Sequence, residues 1–173
     1  DLLNTLGTNL AAPIKDEYKE HPEYFGYDPQ KGGRGGIAHG EGTMCLTHPG
    51  LPEIWARAVI EQIKAHEARQ GRPLDAYLIG PGDNWFCCLC ENCVKPIQLP
   101  GGGPLEMKSP DPTVDSLFRS TQIFMFLNEA MKTLHAELPH VKFAALAYIH
   151  MAEPPAVEID PNWLIYYAAY PTN

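Results

Sequence analysis

The chain has 173 residues, 45% of them hydrophobic and 10% aromatic, the usage of a folded globular protein and not of a disordered one. Its 13 basic and 21 acidic residues give a net charge of −8, a field that repels phosphate backbones, so nucleic acid is excluded as an expected partner. No run of about 18 apolar residues is present, which excludes a helical membrane span.

The chain opens at Asp1 with neither an initiator Met nor a charged-then-apolar signal peptide, as expected of a processed product or a piece of something longer. Up to Gly36 the pattern is weak. A short helix is predicted across Pro13–Glu20, where Pro suits the first turn. Lys31-Gly32-Gly33-Arg34-Gly35-Gly36 reads as a flexible loop, since no helix follows directly as a nucleotide-binding loop would require. The apolar run Thr43–Thr47 is predicted as the first strand. A helix then runs to Gln70, with Leu51, Ile54, Trp55, Ala58, Val59 and Ile63 on one face and Gly71 and Pro73 closing it.

Ala76–Ile79 reads as a buried strand entering the sharp turn Gly80-Pro81-Gly82-Asp83. The stretch 95–112 has no apolar period and reads as a long loop of the functional or mobile kind. The spacing predicts a second helix over Val114–Leu138, apolar on one side at Leu117, Ile123, Phe124, Leu127, Met131 and Leu134, and ended by Pro139. Val141–Ile149 and Trp163–Tyr170 are apolar on both faces, as interior strands of a parallel sheet are. Four strands alternating with two long helices indicate an α/β fold of βα units, with active residues where strands end and loops begin. A full (β/α)8 TIM barrel takes about 250 residues, so the chain is expected to cover about half of one such domain. No internal repeat is visible.

All five cysteines precede position 94, and four fall in Phe86–Cys93. Cys88, Cys90 and Cys93 place three thiols on one tight loop, and Cys45, read as lying on a neighbouring parallel strand, completes a candidate tetrahedral thiolate zinc site. A disulfide and a reduced or reactive thiol cluster are the competing readings of the same residues.

At the predicted strand ends, Asp83 is the candidate catalytic carboxylate, with Asn84 beside it and Trp85 placed to stack on a sugar ring. Asp83 in a turn also suits simple backbone hydrogen bonding. Tyr148 and His150 end the third predicted strand and Tyr170 the fourth, and all three are candidate substrate contacts. His39 and Glu41 precede the first predicted strand, at the wrong end for the same rim. Only one convincing carboxylate is visible, where a sugar hydrolase uses two or one plus a residue orienting a substrate acetamido group. A non-catalytic carbohydrate-binding barrel uses the same aromatic residues without proton transfer, and a thiol-redox or metal-storage protein would use the cysteines alone.

Taken in order, His21-Pro22-Glu23-Tyr24-Phe25, Cys45-Leu46-Thr47-His48-Pro49, Gly80-Pro81-Gly82-Asp83 with Cys88–Cys93, Ala147-Tyr148 and Pro154-Pro155 resemble the landmarks of domain-of-unknown-function family 4838, across about residues 21 to 170. That family overlaps glycoside hydrolase family 163, which includes endo-β-N-acetylglucosaminidases acting on complex N-glycans. The resemblance implies a (β/α)8 catalytic domain, a glycan substrate, a periplasmic, secreted or cell-surface setting, and a retaining reaction assisted by the substrate's acetamido group. No cofactor is implied for the chemistry, and the remaining barrel strands are implied to come from sequence outside this chain. The family's usual Ser-Pro-Asn-Asp stands here as Gly80-Pro81-Gly82-Asp83, and Asp83-Asn84 occupies the place of the adjacent Asp-Glu pair of substrate-assisted hexosaminidases.

Overall fold

The computed structural model describes residues 4–34, 43–81, 86–111 and 114–168. Along the chain these form β1 (Thr5–Asn9), β2 (Tyr27–Asp28), β3 (Gly33–Arg34), α1 (Leu51–Gln70), β4 (Ala76–Gly80), β5 (Ile97–Gln98), β6 (Pro104–Leu105), α2 (Ser116–Glu137), β7 (Lys142–Ala147) and β8 (Trp163–Tyr167). The main sheet is parallel with strand order β1-β4-β7-β8, so its strands lie side by side in chain order. The fold is therefore α/β, built on a four-stranded parallel sheet. Two small antiparallel pairs, β2–β3 and β5–β6, lie outside it.

Register decides which side chains meet the helices. Tyr77, Phe143 and Trp163 are aligned across three strands, all buried, with ring centroids 6.3 and 6.0 Å apart. Tyr77 donates its hydroxyl to Gln62 of α1 at 3.0 Å, which fixes this as the helix-covered face. The alternate row, Gly7, Leu78, Ala144 and Leu164, points the other way. On that second face Leu78, Leu164 and Tyr166 are exposed.

Helix α1 starts with Pro52 in its first turn and ends at Gly71, whose positive φ of 67° lets its N–H reach the Glu67 carbonyl at 2.8 Å. Trp55 is fully buried, stands edge-on to Phe126 and donates its indole N–H to the Leu10 carbonyl at 2.7 Å. One side chain thereby joins α1, α2 and the end of β1. The helices are also tied along their exposed edges, where Arg57 and Lys64 both pair with Glu137 and Thr133 donates to Glu53. The first turns of α2 are enclosed almost all round, with Phe118, Arg119, Ser120, Thr121, Gln122 and Ile123 buried. That is a more complete enclosure than the one-sided period predicts.

Several expectations are corrected. The first sheet strand is Thr5–Asn9 and not Thr43–Thr47, where only Met44 forms an isolated antiparallel bridge, to Phe25. The strand at Trp163 ends at Tyr167 and lies at the sheet edge among the described residues, with Ile165 and Tyr167 exposed on the helix-side face. The segment near Pro13 is a 3-10 helix, Ala12–Lys19, and the loop 95–112 contains the β5–β6 pair. No helix among the described residues is long and apolar enough to cross a membrane.

Candidate metal centre and strand-end site

The segment Tyr24–Tyr27 is the template on which the cysteines assemble. On one side Cys45 donates its N–H to the Tyr24 carbonyl and Gly26 donates to Thr43, both at 2.8 Å. On the other, Leu89 donates to the Tyr27 carbonyl at 2.9 Å, and the Tyr27 N–H points at the Cys88 sulfur at 3.3 Å. Gly26 sits where the two flanking pieces close: a Cβ there would lie 2.2 Å from Thr43 Cγ2 and 3.0 Å from the Phe86 ring. Any side chain there would have to displace the Thr43 methyl group and press on the Phe86 ring.

Around this template Cys45, Cys88, Cys90 and Cys93 bring their sulfurs within 4.8 Å of one another. Cys45 Sγ lies 3.6 Å from Cys90 Sγ and 3.9 Å from Cys93 Sγ, and all five cysteines are free thiols. A tetrahedral zinc tetrathiolate with bonds of about 2.3 Å has sulfurs about 3.8 Å apart. The donor set, its spacing and its burial are thus compatible with a structural metal. Outer partners are present too: Thr47 Oγ1 lies 3.1 Å from Cys93 Sγ, and both Arg119 and Gln122 donate to the Cys93 carbonyl, at 3.5 and 3.0 Å.

Electrostatics follow from the crowding. Hydrogen bonds from Cys88 and Cys93, joined by the Arg34 guanidinium, hold the Cys45 thiol far below the usual range. The charge gathered on Cys45 pushes Cys88 up to about 12 and raises Cys93 as well. Cys87 stands apart from the four, and burial pushes its thiol up to about 11. Cys45 reaches the cluster through the Phe25–Met44 pairing and not, as the sequence suggested, from a neighbouring strand of the parallel sheet.

A second feature lies at the carboxyl ends of the strands. Leu10 after β1, Pro81 after β4 and His150 after β7 share a small cavity of about 20 Å³ with Met44, Cys88, Arg119 and Gln122. Ile149 has φ of 44°, a left-handed conformation that a β-branched residue adopts only under constraint, and it opens the 3-10 turn carrying His150. His150 is buried, its Nε2 has no hydrogen-bond partner, and burial together with the Arg119 charge holds its pKa down, to about 4. Tyr148, half-buried, immediately precedes this turn.

Of the sequence-derived candidates, the structure brings together the four cysteines and places Tyr148 and His150 after β7. Asp83, Asn84, Trp85, Tyr170, His39 and Glu41 lie outside the described residues. Arg119 and Gln122 were not singled out. The sequence carried no clear signal for them, since they lie among Ser116, Ser120 and Thr121 in the polar first turns of the helix. No curated protein and no solved structure matches the chain. The model of one family, described as Domain of unknown function (DUF4838), matches residues 8–170, and the chain belongs to that family.

Proposed function

We propose that this chain forms about half of a (β/α)8-barrel domain that hydrolyses glycosidic bonds, with the other strands supplied by further sequence of the same protein. The observation that carries the reading is the sheet itself: parallel strands in chain order, both helices on one face, and a second face left open at Leu78, Leu164 and Tyr166. In a barrel the open face is the interior and the carboxyl rim is the site of chemistry. Asp83, Asn84, Trp85, Tyr148 and Tyr170 follow strand ends in the sequence and are assigned to that rim. His150 is buried beneath it, so the open sugar contacts fall to the three aromatic residues.

In the proposed reaction the substrate's acetamido oxygen attacks the anomeric carbon as the glycosidic C–O bond breaks. Asp83 delivers a proton to the leaving oxygen, then takes one from the water that opens the intermediate. In the alternative role for Asp83, it orients the acetamido group. No step passes through a metal. Zinc held by Cys45, Cys88, Cys90 and Cys93 would have a closed coordination shell and would serve to fix the loop after β4.

The test is release of oligosaccharide from an N-glycoprotein by the intact protein, compared with Asp83→Asn. The proposal expects turnover that the substitution abolishes while glycan binding persists. Binding without turnover in either protein would make this a carbohydrate-binding domain instead.

A further inference from the structure

The glycine-rich run Lys31-Gly32-Gly33-Arg34, which suits no nucleotide, has a different use in the folded chain. Asp28 accepts from the Gln30 N–H at 2.9 Å and pairs with Lys31 at 3.6 Å. Gly32, at φ 65°, then reverses the backbone, so that β3 returns along β2 with Arg34 opposite Tyr27. Tyr27 is the residue whose N–H faces Cys88 Sγ and whose carbonyl receives Leu89, so the turn sets Arg34 against the segment on which the thiols assemble. Two hydrogen bonds hold it there: Tyr18 donates its hydroxyl to the Arg34 carbonyl at 2.9 Å, and Arg34 Nη1 donates to the Phe25 carbonyl at 2.6 Å.

The half-buried guanidinium meets the thiols from that position. Burial works against its charge, yet a hydrogen bond to Cys45 and the charges of Cys45, Cys88 and Cys90 outweigh the burial and raise its pKa. Four thiolates around a divalent ion keep a double negative charge, and a charge drawn out of water needs a partner of opposite sign. Arginine suits the place, because its planar fork can hold the Phe25 carbonyl with one nitrogen and leave others for sulfur. We propose that Arg34, delivered by the glycine turn, is the outer cation of the metal centre, raising its affinity for a divalent ion and, with iron in the site, favouring the ferrous state. This role rests on the four cysteines holding a metal and is independent of any sugar chemistry.

The experiment loads the intact protein with zinc and, separately, with iron, which tetrahedral sulfur ligands also accept. Zinc affinity measured against a chelator should fall about 10-fold or more in Arg34→Gln, the worth of an outer partner. Iron reads the charge itself: the ferrous centre is the more negative of the two and gains more from a neighbouring cation. Arg34→Gln should therefore lower the reduction potential, and Arg34→Lys should recover most of that shift. Should Arg34→Gln fail to fold, Arg34→Met, neutral and of similar length, takes its place under the same expectations. An unchanged potential in the neutral variant overturns the proposal whatever the zinc affinity, since Arg34 would then act by shape alone. A potential lowered as far by Lys as by Gln overturns it equally. A parent protein that takes up no zinc or iron on its sulfurs overturns the metal centre as well, whereas metal held alike by parent and variants overturns only the role of Arg34.

Discussion

Replacing Cys93 by Ser tests the metal centre at its most enclosed ligand, a side chain with no solvent exposure. Sulfur separations of 3.6 and 3.9 Å are edges of a tetrahedron, and one with such edges has its centre about 2.3 Å from each corner. X-ray absorption on the zinc-loaded protein should therefore return four sulfurs at that distance and one zinc per chain. Cys93→Ser should reduce the sulfur count to three and weaken zinc by more than about 100-fold, because outer partners alone are worth 10–100-fold. Binding should also weaken as pH falls: the Cys88 thiol, pushed up to about 12, must surrender its proton to the incoming metal, so protons compete with zinc. Cys87→Ser is the control, since this thiol stands outside the cluster and its loss should leave the zinc shell intact. Nitrogen or oxygen in the first shell, or a zinc content indifferent to Cys93→Ser, would refute the tetrathiolate.

Other perturbations separate the parts of the fold. His150 ionises near 4 in the folded state against 6.5 in the unfolded chain, so the unfolded state binds more protons between those values, and stability falls as pH drops through that window. The loss is ~3 kcal/mol, caused first by burial and then by the Arg119 charge, with Asp111 offsetting part of it; urea unfolding of His150→Phe should show a shallower pH dependence than the parent across pH 4–7, and equal slopes would contradict it. Gly26→Ala forces a methyl group against Thr43 and Phe86 and should cost about 1–3 kcal/mol, with weaker zinc binding measured by competition with a chelator. Trp55→Ala removes a fully buried side chain and its bond to Leu10, and should cost about 3–5 kcal/mol by denaturant unfolding.

Elements with a strong apolar period were legible before any coordinates. Leu51–Gln70 and Ser116–Glu137 alternate with Ala76–Gly80 and Lys142–Ala147 close to where spacing and punctuation put them. The first strand was not, because Thr-Leu-Gly-Thr-Asn carries only one large apolar side chain and its place depends on pairing with β4, 71 residues away at Thr5–Ala76. Thr43–Thr47 misled for the opposite reason: its apolar residues are buried, but its backbone serves the Tyr24–Gly26 segment instead of the sheet. The cysteine cluster was legible from spacing alone, since Cys88, Cys90 and Cys93 cannot separate far on one short loop. What brought Cys45 to them was not legible, because Gly26 gives no sign in the sequence of the two chains it lets close. Arg119 was hidden by the helix period, which reads a charged residue as solvent-facing, whereas the loop from Cys87 to Met107 folds over that side of α2.

The metal centre and the strand-end cavity are mechanically one structure. Cys88 belongs to both, and the Cys93 carbonyl receives hydrogen bonds from Arg119 and Gln122, two of the side chains that line the cavity. Between Phe86 and Asp111 the backbone forms only the two-residue strands β5 and β6. So short a pairing supplies few backbone hydrogen bonds, and a stretch of that kind orders only if something else offsets its conformational entropy. Four thiolates on one cation would do so at a point adjoining the carboxyl ends of β1, β4 and β7. The helices and the Trp55–Phe126 contact draw on no cysteine, so loss of the metal should loosen the rim while the sheet and its helix layer keep their packing.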